Sequence, residues 1–241
     1  MRKIYVDKWL GLKFSDLPIE ISPYKLADTG FYENFYRNFF QQVQSFEDIY
    51  DATYLEYKEE VIDHLLNLIS TNTKILSIGC GLGYIEKRLA ETTNIKSIVA
   101  IEPAISAIQW IDKSNIKLLH GFFPDILEDK WSVEDFVFVY ASGIDYVFNN
   151  EQYEIFLKSV VNFGIKDLLL TEIFVPNEDY FSLSKDFLKE ILIRLGLFNP
   201  GQLWFFLRSI DEHKFFLKNS GFNHITYGKY KHGSFWIRGT V

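Results

Sequence analysis

The chain has 241 residues, 48% of them hydrophobic and 24% charged, which is the composition of a globular protein with a full core. Its net charge of −7 argues against a nucleic acid partner, because binding phosphates draws on a surplus of Lys and Arg. The single cysteine excludes an intramolecular disulfide, and the five histidines lack the spacing of a metal site.

The first 50 residues differ from the regular pattern that follows them. Residues 1–30 contain proline and glycine without periodicity, which predicts an irregular arm. Aromatic residues recur at helical spacing between residues 32 and 43 and predict a helix with one aromatic face. Because this face is too apolar for free surface, we expect residues 1–50 to form a helical lid over the main domain, residues 51–241. Contacts in a homodimer are the alternative.

In the main domain, short apolar runs alternate with helical patterns. The runs predict strands at residues 74–78, 97–101, 116–119, 136–140 and 168–173. Continuous apolar strands separated by helices indicate an α/β fold, a mostly parallel sheet with helices on both faces. Residues 176–210 form a predicted helical insertion. Two last runs, at 222–230 and 234–240, predict a C-terminal antiparallel hairpin.

A glycine-rich loop, Gly79-Cys80-Gly81-Leu82-Gly83, joins the first of these strands to a helix. Glycines here let the backbone turn tightly and bring main-chain N–H groups to a ligand at the helix N-terminus. Glu102 ends the next strand, where its carboxylate can accept hydrogen bonds from a ribose diol, so the combination predicts nucleoside binding. Tyr84 stands where a dinucleotide site has its third glycine, which disfavours an NAD(P)-dependent oxidoreductase.

Residues 75–83 and Ile101-Glu102-Pro103 resemble the first motif and the acidic second-strand end of class I S-adenosylmethionine (SAM) dependent methyltransferases of the small-molecule type. The closing hairpin is similar to the last two strands of their seven-stranded Rossmann-like sheet. The resemblance implies S-adenosyl-L-methionine as cofactor and methyl transfer to oxygen or nitrogen of a small-molecule substrate. A catalytically silent SAM-fold binding or scaffold protein is the alternative.

The chain departs from this family at three places, one of which is before the fifth strand, where Asn162-Phe163-Gly164-Ile165 replaces the Pro-Gly-Gly often seen there. The family often has an acidic residue where Ser77 stands, and that residue helps to orient the loop and the cofactor. Ser77 can form hydrogen bonds but brings no charge. The Asn/Asp-Pro-Pro-Tyr element of amino-group methylases is missing after the fourth strand, which speaks against methylation of DNA bases.

The resemblance implies cofactor contacts in the glycine loop, at the end of the second strand and after the third and fourth strands: Gly79, Cys80, Gly81, Gly83, Glu102, Pro103, Phe122, Phe123 and Tyr140. Within this set, Glu102 is assigned to the ribose hydroxyls and Phe122 or Phe123 to the adenine. Packing in the core is the alternative for both phenylalanines. Tyr140 is assigned to the sulfonium or the acceptor, and Cys80 is interpreted as a small residue packed in the loop.

A hydroxyl or ammonium acceptor must lose a proton, so a general base is useful. The candidates are Glu172 at the end of the fifth strand, His213 and His120. A cap or salt bridge is the alternative role of Glu172, and surface or packing roles are the alternatives for the histidines. Because the chain shows no secretory signal and no run of about 18 apolar residues, we expect a cytoplasmic protein without a membrane contact.

Overall fold

The computed structural model describes residues 1–49, 52–70, 73–92, 95–109, 111, 115–127, 131–132, 136–176 and 180–241. The strands are β1 (Arg2–Val6), β2 (Lys8–Trp9), β3 (Leu12–Lys13), β4 (Thr73–Ile78), β5 (Ile95–Glu102), β6 (Ile116–His120), β7 (Phe138–Ser142), β8 (Asp167–Ile173), β9 (Gln202–Leu207), β10 (His224–Lys229) and β11 (Phe235–Thr240). The helices are α1 (Thr29–Phe39), α2 (Phe46–Ile49), α3 (Ala52–Leu68), α4 (Tyr84–Ala90), α5 (Asn150–Asn162), α6 (Tyr180–Arg194) and α7 (Ile210–Asn219). The boundary predicted between residues 50 and 51 lies outside the described residues.

Seven strands form the main sheet, in the order β10-β11-β8-β7-β4-β5-β6. The strands from β8 to β6 run parallel, and β11 runs antiparallel to both β8 and β10. This confirms the predicted α/β sheet with its C-terminal hairpin. The chain order reverses at β4, because β5 and β7 lie on either side of it, and at such a point a crevice opens at the carboxyl ends of the strands.

Helices cover both faces of this sheet. On one face, Tyr153 and Leu157 of α5 and Leu217 of α7 are fully buried against the strands. On the other face, Val61 and Leu65 of α3 are equally inaccessible. The continuous apolar strands follow from this arrangement, because both of their faces are covered. None of the described helices combines the length and the apolar character that a bilayer crossing requires.

The N-terminal arm is more regular than the sequence pattern predicts. Strand β1 pairs antiparallel with β9, with Arg2 opposite Leu207 and Val6 opposite Gln202. The predicted helical insertion therefore divides into α6 and a strand. This pairing was not predictable from local periodicity, because it joins two short segments at opposite ends of the chain. A Cβ on Gly201 would lie 2.5 Å from the carbonyl oxygen of Val6, so glycine permits the close approach.

The predicted aromatic helix is α1, and it ends at Phe39. Asp28 caps its first turn by accepting a hydrogen bond from the backbone N–H of Phe31 at 2.9 Å. Phe35 and Phe39 are fully buried in a cluster that includes Trp204 of β9. Full burial of such a side chain contributes about 1.5–3 kcal/mol to stability. The aromatic face of α1 therefore packs against other parts of the same chain.

Candidate functional site

A cavity of about 750 Å³ lies at the carboxyl ends of the parallel strands. This volume is within the range of small-molecule sites, and the position is the topological switch point of the sheet. The wall combines the glycine loop (residues 79–83), the ends of β5 and β8, and aromatic side chains from the N-terminal arm and α1. The cavity therefore brings together segments that are far apart in the sequence.

All three glycines of the loop have a left-handed backbone, but only Gly79 and Gly83 also lack room for a Cβ. A Cβ on Gly83 would lie 1.9 Å from Cδ1 of Ile111, and one on Gly79 would lie 2.3 Å from Cγ2 of Ile144. At Gly81, by contrast, the nearest atom to such a Cβ is the hydroxyl of Tyr36 at 3.8 Å. The loop is thus packed against the protein at both ends and leaves backbone surface open at its centre.

The N–H groups of the loop are used differently from the sequence expectation. Those of Gly79 and Cys80 donate to the carbonyl oxygen of Ile101, at 2.8 and 3.1 Å, and that of Gly83 donates to Cys80. The N–H of Gly81 donates to the Glu102 carboxylate at 2.9 Å. A pyrophosphate needs such donors for itself. Because these N–H groups are already satisfied, the loop suits a ligand without a phosphate.

Glu102 holds the loop from the end of β5. One carboxylate oxygen accepts from Gly81 and the other from the backbone N–H of Ala104, both at 2.9 Å. Burial, opposed by these hydrogen bonds and reinforced by the nearby charge of Glu86, raises the pKa of Glu102 to about 7. Each carboxylate oxygen can accept more than one hydrogen bond, so this side chain can still receive donors from a ligand in the cavity.

A second buried carboxylate, Glu86, was not predicted from the sequence. It lies in the first turn of α4 and lines the cavity. Ser77 and Tyr140 both donate to its Oε1, at 2.5 and 2.6 Å. Its Oε2 is buried and has no hydrogen-bond partner among the described residues. The available sequence signal was an acidic residue in the turn directly after the glycine loop, combined with the unusual Ser77.

The cavity also contains a buried ion pair at the end of β8. Nζ of Lys58, on α3, lies 2.5 Å from Glu172, and Ser142 donates a hydrogen bond to the second Glu172 oxygen. Burial acts to raise the pKa of Glu172, but the Lys58 ammonium holds it below its usual range. Glu172 also has a left-handed backbone with φ of 59°, a strained conformation for a residue with a side chain. Such strain is concentrated at functional sites.

The two candidate histidines lie outside the cavity wall. His213 is fully buried, with Nδ1 at 2.8 Å from the hydroxyl of Tyr153 and Nε2 at 3.5 Å from a carboxylate oxygen of Asp145. Burial lowers the pKa of His213 to about 3, so it is neutral in the core. His120 is exposed at the end of β6. Of the three candidate bases, the structure brings only Glu172 to the cavity.

The remaining sequence-predicted residues divide by position. Phe122 lines the cavity with 59% of its surface exposed. Phe123 also lines the cavity and packs on the rings of Phe156, in α5, and Phe163, directly after α5. Cys80 and Pro103 also line it, and burial raises the pKa of the Cys80 thiol. Tyr140, which the resemblance assigned to the sulfonium or the acceptor, is fully buried and is not part of the cavity wall; its hydroxyl donates to Glu86, which is.

Aromatic residues of the N-terminal arm and α1 close the cavity opposite the sheet. Trp9, Tyr32 and Tyr36 belong to this wall, and the rings of Trp9 and Trp204 lie 4.9 Å apart. A hydrogen bond of 2.9 Å from the backbone N–H of Ser106 to Glu33 ties α1 to the segment that follows β5. Helix α1 is therefore connected to the segment that follows Glu102.

No protein-family model matches the chain, and no curated protein matches it either. Among solved structures, a candidate O-methyltransferase of Nostoc punctiforme is 15% identical over 88% of this chain and 60% of its own, with a TM-score of 0.57. Magnesium protoporphyrin IX methyltransferase of Synechocystis, with S-adenosylhomocysteine (SAH) bound, is 15% identical over 89% of this chain and 94% of its own, with a TM-score of 0.55. Human N-acetylserotonin methyltransferase in complex with SAM is 12% identical over 88% of this chain and 56% of its own, with a TM-score of 0.55.

This chain spans less than two thirds of the length of the Nostoc and human proteins. At these identities the likeness is one of fold. The chain has the fold of the class I SAM-dependent methyltransferases, as the sequence resemblance implied.

Proposed function

We propose that this chain is an enzyme that transfers a methyl group from SAM to oxygen or nitrogen of a small-molecule acceptor. The observation that carries the proposal is the glycine loop, open at Gly81 and held there by Glu102, at the wall of a cavity of about 750 Å³. The fold neighbours support it, because two of them are methyltransferases with SAM or SAH bound. The net charge of −7 supports a small molecule over a nucleic acid as acceptor.

The residues of the cavity fit the cofactor. Glu102 would accept the ribose hydroxyls, the open backbone at Gly81 would face the amino-acid chain, and Phe122 or Phe123 would cover the adenine. Oε2 of Glu86, which has no hydrogen-bond partner among the described residues, could accept a hydrogen bond from the cofactor. When bound, SAM supplies a methyl group already activated on a positively charged sulfur. The protein's contribution is then alignment of the acceptor and exclusion of water.

We propose that Lys58 and Glu172 form the acceptor side of the cavity. Glu172 is ionised because Lys58 holds its pKa low, so it is a weak base but a strong hydrogen-bond acceptor. A hydroxyl or protonated amine of the acceptor would donate to it and be oriented by it. The strained backbone of Glu172 is consistent with a role beyond packing.

We propose in addition that residues 1–50 act as a lid, since Trp9, Tyr32 and Tyr36 line the cavity. A homodimer remains the alternative use of exposed apolar surface, which in the described part of the chain includes side chains on and after α6: Phe187, Leu188, Ile191, Leu195, Leu197 and Phe198. Light scattering across a range of protein concentrations distinguishes a monomer from a dimer. A dimer that persists after Phe187→Ser and Leu195→Ser would exclude this face as its interface.

Calorimetric titration with SAM, SAH and NAD tests the proposed function. We expect binding of both sulfur nucleosides and none of NAD. Transfer of a labelled methyl group from SAM to a component of a metabolite extract would then identify an enzyme. Failure to bind either sulfur nucleoside overturns the proposal, and binding without transfer to any acceptor favours the silent scaffold.

A further inference from the structure

Glu86 is a buried acid with one carboxyl oxygen unpartnered, and burial raises its pKa against the hydrogen bonds from Ser77 and Tyr140. Its side chain is 1% exposed, and both of its hydrogen-bond donors, Ser77 and Tyr140, are directed to Oε1. Oε2 is buried, has no partner among the described residues, and belongs to a side chain that lines the cavity. A buried carboxylate oxygen without a donor is costly, and such exceptions in a folded protein need an explanation.

The charges around Glu86 favour a cation as the missing partner. Glu86 and Glu102 both act to raise the pKa of the Cys80 thiol, after burial itself, so two carboxylates flank the glycine loop. The charge of Lys58 acts on Glu86, but Lys58 forms its ion pair with Glu172. Two buried carboxyl groups therefore lie beside the loop, and a cationic ligand group would stabilise their ionised forms.

We propose that Glu86 binds the α-ammonium group of the amino-acid part of an adenosyl cofactor, and that it takes the place of the acidic side chain that the family resembled by this sequence often has at position 77. This inference rests on the proposed function, because it requires an adenosyl amino acid in the cavity. Ser77 and Tyr140 hold one carboxylate oxygen in place, which leaves the other for the ligand.

The position of Glu86 explains why Ser77 is tolerated. A carboxylate at residue 77 would be fully buried at the end of β4, directly beside Glu86. Two adjacent carboxylates repel each other, so only one of the two positions can carry the charge without a large cost. In this chain the charge is on α4 and the hydroxyl is on β4.

Two ligands separate the ammonium contact from the rest of the cofactor site. SAH carries the α-ammonium group but no sulfonium, and 5′-deoxy-5′-methylthioadenosine carries neither while keeping the adenosine. The test is calorimetric titration of both ligands, and of SAM, into the wild type and Glu86→Gln. The amide keeps the size of the side chain and an oxygen for Ser77. Glu91→Gln, an exposed position at the end of the same helix, is the matched control.

We expect Glu86→Gln to lower the affinity for SAH by about tenfold or more, which is the scale of a lost hydrogen bond to a charged group. Its affinity for methylthioadenosine should stay within about threefold of the wild-type value. Glu91→Gln should bind both ligands as the wild type does. Unchanged SAH affinity, equal losses for both ligands, or a loss confined to SAM would each overturn the inference. Methylthioadenosine binding also reports that the variant is folded.

Moving the carboxylate gives a second, independent measurement. Glu86→Ser should bind SAH weakly, and the double variant Ser77→Asp with Glu86→Ser should bind it more tightly than Glu86→Ser alone. Equal SAH affinities for the single and the double variant would contradict the exchange of positions. If the wild type binds neither SAH nor methylthioadenosine, the proposed function itself fails. If the wild type binds both ligands and Glu86→Gln changes their two affinities by the same factor, only the inference about Glu86 fails.

Discussion

At the scale of single residues, glycine is needed at position 83 both because the backbone is left-handed and because a side chain has no room there. Its φ is 75°, and a Cβ would lie 1.9 Å from the side chain of Ile111. Gly196 has nearly the same φ, 69°, but nothing within 4 Å of its own Cβ position, so it is a matched control. We expect Gly196→Ala to cost about 1–2 kcal/mol and Gly83→Ala to cost about 1–3 kcal/mol more, measured by urea unfolding. Equal costs would show that Ile111 yields without strain.

The Lys58–Glu172 ion pair makes a prediction through its burial. Lys58→Met leaves Glu172 charged and without its cation, and we expect a loss of about 3–5 kcal/mol in the free energy of unfolding. The double variant Lys58→Met with Glu172→Gln should recover most of that loss, because no unpaired charge remains. Additive effects of the two substitutions in a double-mutant cycle would contradict a coupled pair.

At the scale of elements, the lid proposal predicts that the hydrogen bond between α1 and the segment after β5 slows the departure of a ligand from the cavity. Glu33 accepts hydrogen bonds from the backbone N–H and the hydroxyl of Ser106, and its side chain is 26% exposed. We expect Glu33→Ala to speed dissociation of SAH several-fold in stopped-flow measurements while the melting temperature changes little. Glu20→Ala, an exposed acid in the same arm, is the control and should leave the dissociation rate unchanged. Equal rates for all three proteins would argue against a lid.

Element boundaries were predictable where a local signal exists. Helices α5 and α7 both begin at a capping box, formed by Asn149 with Gln152 and by Ser209 with Glu212. The pairing of β1 with β9 has no such signal, because its hydrogen bonds form between segments far apart in the chain. The sequence therefore predicted the α/β alternation, but the separate sheet of β1 and β9 lies where an irregular arm and a helical insertion were predicted.

At the scale of the whole molecule, buried acids make stability depend on pH. Burial raises the pKa of Asp145 to about 7, although the charge of Arg208 acts in the opposite direction, and the unfolded value is 3.8. A raised pKa means that the folded state favours the protonated acid. The contribution of Asp145 to the free energy of unfolding is therefore fully present below pH 3.8, its unfolded pKa, and is lost as the pH rises through about 7.

Asp145→Asn removes this titration and keeps the shape of the side chain. Relative to the wild type, the variant should therefore gain about 3 kcal/mol in unfolding free energy between pH 5 and pH 8. Urea unfolding of both proteins at the two pH values measures the gain. A difference that does not change with pH would show that Asp145 titrates alike in the folded and unfolded chain. Comparison with the wild type cancels the contribution of Glu102, whose pKa is raised in the same way.

The sequence by itself determined the layered α/β architecture, the closing hairpin, and a glycine loop followed by Glu102. Each of these depends on periodicity or spacing within a few tens of residues, and short-range backbone geometry follows from such patterns. Only the tertiary structure decided that Glu86 carries the buried carboxylate beside the loop, that Lys58 pairs with Glu172, and that His213 lies in the core. Those facts depend on which side chains the packed elements bring together across the chain, and no local pattern records a contact between distant residues.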